Sequence, residues 1–166
     1  MMRCCVMVLT PCLLLAMGAF ATTENIIADF NYSNGAFPAG PVMLDSAGNV
    51  YGVTPLGGTN GFGTVYQLVN SGGTWTLNTL YNFTGGTSDV CGANFTGLVM
   101  DSSGHLYGTA PGCGAYTRGG VFKLTQKNGT WTEKLLYSFR DQSDGAYPNA
   151  GLAIDSKGVL YISNTD

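Results

Sequence analysis

The sequence predicts an all-β fold: a β-propeller-like array of four-stranded antiparallel blades that is incomplete, with about eleven strands and under three blades. Three observations predict it. Four separate sequence blocks recur in one register, 56 residues apart. Within each block the large apolar residues alternate with polar ones, the period of two that half-buried strands show. The 25 glycines among 166 residues exclude a helix bundle, because each interior Gly costs a helix about 0.5–1 kcal/mol relative to Ala. A β-sandwich would accommodate the same strands but does not demand the self-similarity.

Composition sets further bounds. Hydrophobic residues make up 45% and aromatic residues 11% of the chain, enough apolar material for a core and unlike a disordered segment. Seven basic against ten acidic side chains give a net charge of −3. No nucleic-acid partner is expected, since phosphate-binding surfaces need dense Lys and Arg.

Taken from the N-terminus, residues 1–21 read as a signal peptide. Arg3 precedes an apolar run from Cys4 to Phe20, and Ala19-Phe20-Ala21 supplies the small-x-small cleavage pattern. The alternative, a membrane anchor, is disfavoured because the run sits at the lower limit for a span and Pro11 interrupts it. The mature chain is therefore expected to be secreted, periplasmic or extracellular, with no membrane attachment after cleavage. Of five cysteines only Cys91 and Cys113 remain in it. Two thiols in an oxidising compartment most simply form one disulfide.

Residues 22–166 form the partial propeller. Residues 25–31 match the outer strand of a blade, with Phe30 in the role of Phe83 and Phe139. The first full blade spans about 41–96, the second 97–150, and a partial third 151–166. The blocks that define them are plain. Leu44-Asp45-Ser46-Ala47-Gly48-Asn49-Val50-Tyr51-Gly52 returns as Met100-Asp101-Ser102-Ser103-Gly104-His105-Leu106-Tyr107-Gly108, then as Ile154-Asp155-Ser156-Lys157-Gly158-Val159-Leu160-Tyr161. Gly63-Thr64-Val65-Tyr66-Gln67-Leu68 matches Gly119-Gly120-Val121-Phe122-Lys123-Leu124. Gly73-Thr74-Trp75-Thr76 matches Gly129-Thr130-Trp131-Thr132, and Leu80-Tyr81-Asn82-Phe83 matches Leu136-Tyr137-Ser138-Phe139.

In the second blade the four strands, A to D, are expected at 97–101, 105–110, 120–125 and 130–139. Trp131, Leu135, Tyr137 and Phe139 are expected on one face of strand D. The Asp-Ser-x-Gly turn between A and B and the Asn128-Gly129 turn between C and D carry the residues that tight turns require. A repeated four-stranded module is the signature of a propeller blade, which shelters its faces against its neighbours. Closed propellers need four to eight blades. The broken count leads to the expectation of a truncated repeat protein, of a homo-oligomer in which one copy completes the blade begun by another, or of an open, short array.

Val50-Tyr51-Gly52-Val53-Thr54, then Gly57-Gly58, then Gly63-Thr64-Val65-Tyr66-Gln67-Leu68 resembles the GloVer tandem repeat, and Leu106-Tyr107-Gly108-Thr109 with Gly119-Gly120-Val121-Phe122-Lys123-Leu124 resembles a second copy. The resemblance covers nearly all of the mature chain. It implies large secreted bacterial proteins with propeller-like repeats and variable C-terminal anchors, and supplies no established catalytic residues. Cys113 stands where the first copy has Gly57, and Ile162 stands where the others have Gly.

Blade topology puts the longer B→C and D→A loops on one side, and long-loop faces are where repeat proteins place ligands. Cys91 and Cys113 both fall there, which supports their pairing. The ligand-binding candidates on that face are Asn60, Asp89, Tyr116, Arg118, Asp144 and Tyr147, because a guanidinium beside carboxylates and phenols suits a carboxylate or a sugar. The expected role is a non-enzymatic module binding carbohydrate or a cell-surface protein. The competing reading is a fragment of a secreted glycosidase-like hydrolase, using carboxylates such as Asp89 and Asp144. No catalytic residue, cofactor or metal is assigned. The recurring Asp45, Asp101 and Asp155 are ascribed to turn chemistry, and the sole histidine, His105, cannot build a zinc site or a triad.

Overall fold

A computed structural model describes residues 4–11, 22–38, 40–92, 97–141 and 144–163, with side chains from residue 24 onward. The expected cleavage site at 19–21 lies outside the described residues, as do parts of two long loops at 93–96 and 142–143 and the end of the last expected strand at Asn164.

The described residues contain fourteen strands and no helix. The first blade consists of β3 (Met43–Leu44), β4 (Val50–Thr54), β5 (Thr64–Ser71) and β6 (Thr74–Asn82), hydrogen-bonded in that order. The second consists of β8 (Leu98–Met100), β9 (Leu106–Ala110), β11 (Gly120–Lys127) and β12 (Thr130–Ser138) in the same order. The partial third is the hairpin β13 (Leu152–Ile154) with β14 (Leu160–Ile162). All pairings are antiparallel.

Two elements were not foreseen. A short ladder joins β7 (Val90–Cys91) to β10 (Gly112–Cys113), linking the D→A and B→C loops. The second lies in the expected leader. Strand β1 (Cys4–Pro11) pairs with β2 (Thr22–Phe30) in the register of the two complete C–D hairpins. Each of the three hairpins has a bulge at the same place: Val6/Met7, Val65/Tyr66 and Val121/Phe122.

That bulge corrects the expectation that Trp131, Leu135, Tyr137 and Phe139 share a face. Leu135 lies opposite Phe122 but Tyr137 opposite Val121. The extra residue inserted between them, Leu136, reverses the alternation. Strand D therefore serves two interfaces. Before the bulge it faces the preceding blade; after it, Tyr137 and Phe139 face the other way.

The core divides accordingly. Val50, Tyr66 and Leu68 of the first blade meet Ala28 and Phe30 of β2, with Trp75 and Leu77 at the margin. Tyr51, Val53, Val65 and Phe83 on the other face meet Leu98, Leu106, Phe122 and Leu124 of the second blade, with Trp131 and Leu135 packed alongside. Edge-to-face contacts between Phe30 and Tyr66 and between Phe83 and Phe122 mark the two interfaces. The B strand of each complete blade carries a glycine under the aromatic ring of strand C. A Cβ on Gly52 would lie 2.3 Å from the Tyr66 hydroxyl oxygen, and one on Gly108 would lie 2.4 Å from Phe122 Cζ. In the third copy Ile162 occupies that place, and among the described residues β14 pairs only with β13. Tyr161 is 57% exposed there, whereas its counterpart Tyr107 is 9% exposed under a strand C.

Candidate functional site

The recurring aspartates are structural, as expected. Asp45 Oδ1 accepts from the amides of Ala47 and Asn49, both at 2.9 Å, and Oδ2 accepts from Asn49 Nδ2 at 2.8 Å and the Tyr51 hydroxyl at 3.1 Å. Asp101 repeats the pattern with Ser103, His105 and Tyr107, and Asp155 with Lys157, Val159 and Tyr161. Slight burial raises the Asp101 carboxyl, but hydrogen bonds from His105, Tyr107 and Ser103 outweigh it and hold the pKa at about 2. Among the described residues no three His, Cys, Asp or Glu side chains gather as a metal ion would need.

A second repeated device occupies the D→A loops. Buried Asp89 accepts from the Tyr81 hydroxyl at 3.1 Å, the Thr84 amide at 2.7 Å and the Thr84 hydroxyl at 2.8 Å. Asp144 accepts from the Tyr137 hydroxyl at 2.7 Å and the Arg140 amide at 3.3 Å. Both carboxylates fold the loop back onto strand D. Asn60 likewise donates to the Phe83 carbonyl at 3.2 Å. These three candidates hold their own loops together. The disulfide joins Cys91 to Cys113 as expected, with Cα atoms 5.3 Å apart.

Of the other three candidates, Arg118 and Tyr147 come together, and Tyr116 meets Arg140. Arg118 forms an ion pair with Asp141 at 2.9 Å, donates to the Tyr147 hydroxyl, and lies 5.2 Å over the Tyr147 ring. The Tyr147 amide donates to the Arg118 carbonyl at 3.0 Å, tying the two loops. Arg140 lies 5.1 Å over the ring of Tyr116. The result is two phenol rings, each backed by a guanidinium, with Tyr116 48% and Tyr147 39% exposed.

Tyr147 sits at φ 49° and Asp141 at φ 63°, a left-handed region that costs a side-chain-bearing residue roughly 1–2 kcal/mol. In the first blade the position of Tyr147 is held by Gly92, identified by its matching amide bond to Phe62. In the N-terminal copy it is held by Phe37, also at positive φ (59°) and 41% exposed. Sequence reasoning missed Phe37. The signal was present: Gly35-Ala36-Phe37-Pro38 matches Gly145-Ala146-Tyr147-Pro148. Asp141, in the slot of Gly85, and Arg140 complete the cluster.

Residues 15–166 match the family model of the Gloeobacter/Verrucomicrobia repeat. No curated protein and no solved structure matches the chain.

Proposed function

The chain belongs to the Gloeobacter/Verrucomicrobia repeat family, and from that premise we propose that it is a secreted, non-enzymatic repeat module whose long-loop face binds a carbohydrate or a surface protein. One observation carries the reading. An exposed aromatic side chain stands at a left-handed backbone position in two of three D→A loops, Phe37 and Tyr147, where the loop of the first blade has the glycine that the backbone prefers, Gly92. Backbone conformation does not favour those rings, and their outward exposure points to a ligand as what retains them. Tyr116, Arg118 and Arg140 extend the patch around Tyr147 with the stacking and two-pronged donor chemistry that sugars and carboxylates accept.

The test separates binding from stability. Tyr147→Gly and Phe37→Gly should lower the melting temperature only slightly, since relieved backbone strain offsets part of the lost ring contacts. The same variants should lose binding on a glycan array or to envelope-protein extracts. Unchanged binding in both variants refutes the reading. Turnover of chromogenic glycosides, abolished by Asp144→Asn, would establish the hydrolase instead.

A further inference from the structure

A second concave site lies away from the long loops, between the two complete blades. It is a cleft of about 520 Å³, within the size range of small-molecule sites. One wall is the face of the first blade, with Tyr51, Gln67 and Asn78; the other is the C–D hairpin of the second, with Gln126, Thr130 and Trp131. Leu80 and Trp131 also pack on the inter-blade core, so both walls stand on rigid sheet.

We infer that this cleft binds a neutral saccharide. None of its lining side chains is charged, so an ionic ligand would find no counter-charge. The carboxamides and hydroxyls each donate and accept, as the hydroxyls of a sugar do. Trp131 supplies a flat apolar surface of the kind that covers the C–H face of a pyranose.

Several of the polar groups are also uncommitted. Gln67 donates through Nε2 to the Tyr51 hydroxyl at 2.7 Å, and Tyr51 donates onward to Asp45 at 3.1 Å. That relay fixes the Gln67 carboxamide and leaves its oxygen without a protein donor among the described residues. The side chains of Asn78, Gln126 and Thr130 and the indole N–H make no hydrogen bond to the described residues. The contrast with the loop-face residues Asn60 and Asp89, which are committed to their own loops, is direct.

The second blade shows the specificity logic. At the positions of Gln67 and Asn78 it carries Lys123 and Lys134, with Lys123 Nζ 5.2 Å from the centre of the Tyr107 ring. Neutral recognition is thus particular to the cleft between the first two blades.

The test is calorimetric titration of the full chain with cellohexaose, laminarihexaose and hexagalacturonate, followed by tryptophan emission. A neutral hexasaccharide should bind saturably, and Asn78→Ala and Gln126→Ala should each weaken it about tenfold, the loss of one good hydrogen-bonding group. Both residues are exposed, so the variants fold. Trp131→Phe should weaken binding and abolish the emission change, while Trp75→Phe should leave both. Absence of saturable binding to either neutral sugar, or preference for the charged one, overturns the inference. Binding that survives Asn78→Ala and Gln126→Ala but falls with Tyr147→Gly also overturns it and assigns the sugar to the loop face.

Discussion

Replacing Glu133 by leucine should stabilise the protein, increasingly so as pH rises. Glu133 lies on the pre-bulge half of β12, facing the first blade, where the first repeat carries Leu77. Its Oε1 is buried without a hydrogen-bond partner among the described residues. Burial, and then the neighbouring negative charge of Asp89, push its carboxyl from 4.5 up to about 8. In the unfolded chain that carboxyl ionises near 4.5. Between those values the folded state holds a proton that the unfolded state has released, so stability falls as pH rises through the window. At about 1.36 kcal/mol per pH unit the full effect would approach 5 kcal/mol; because the side chain is only half-buried, solvent screening reduces it to about 2 kcal/mol. Glu133→Leu removes the ionisation and retains an apolar contact that the repeat already accommodates. Urea unfolding at pH 5, 6, 7 and 8 should show a declining stability for the natural chain and a flatter profile for the variant. The gap should be small at pH 5 and about 2 kcal/mol at pH 8. A variant that keeps the natural slope, or is less stable at pH 8, would refute the placement of this carboxyl between the blades.

Three further outcomes are expected. Gly108→Ala should destabilise by about 1–3 kcal/mol in chemical denaturation, because the new methyl collides with the Phe122 ring and with Leu98; Gly108→Ala with Phe122→Leu should recover part of the loss. Reducing the Cys91–Cys113 bridge, or replacing both residues by alanine, should lower stability by about 3 kcal/mol, the entropy of opening a loop with a sequence separation of 22. Acidification should release the Asp101 staple: its carboxyl is depressed to about 2, so the stability it contributes is present above the ordinary carboxylate value and is lost as pH falls through about 2. Asp101→Asn should flatten that acid limb, measured by circular dichroism between pH 4 and pH 1.5.

Much of this molecule was legible in the sequence because repetition makes local chemistry visible more than once. The Asp-Ser-x-Gly turns, the strand limits of the second blade within one or two residues, and the pairing of Cys91 with Cys113 all depend on neighbours in the chain or on a topology that the repeat dictates. Asp45, Asp101 and Asp155 could be assigned to turns because their partners lie two to six residues away. The loop-face site was legible only in part. Arg118 and Tyr147 do converge, but Asn60, Asp89 and Asp144 spend their polar atoms on their own loops.

What the sequence determined by itself is the module: its period, its four strands, its turns and its all-β class, each set by short-range alternation and turn residues. What only the tertiary structure decided is which side of a strand meets which neighbour. A single inserted residue at the bulge turns Tyr137 away from Leu135, and alternation read along the chain continues past it unaware. The same rule hid the buried Glu133 beside Asp89 and the cleft between Gln67 and Trp131, since both arise from two blades meeting across space rather than from any spacing within one. Backbone dihedrals were hidden for a related reason: the left-handed turns at Phe37 and Tyr147 are imposed by the loops that close around them, and a side chain there is visible as a departure only once its φ is known.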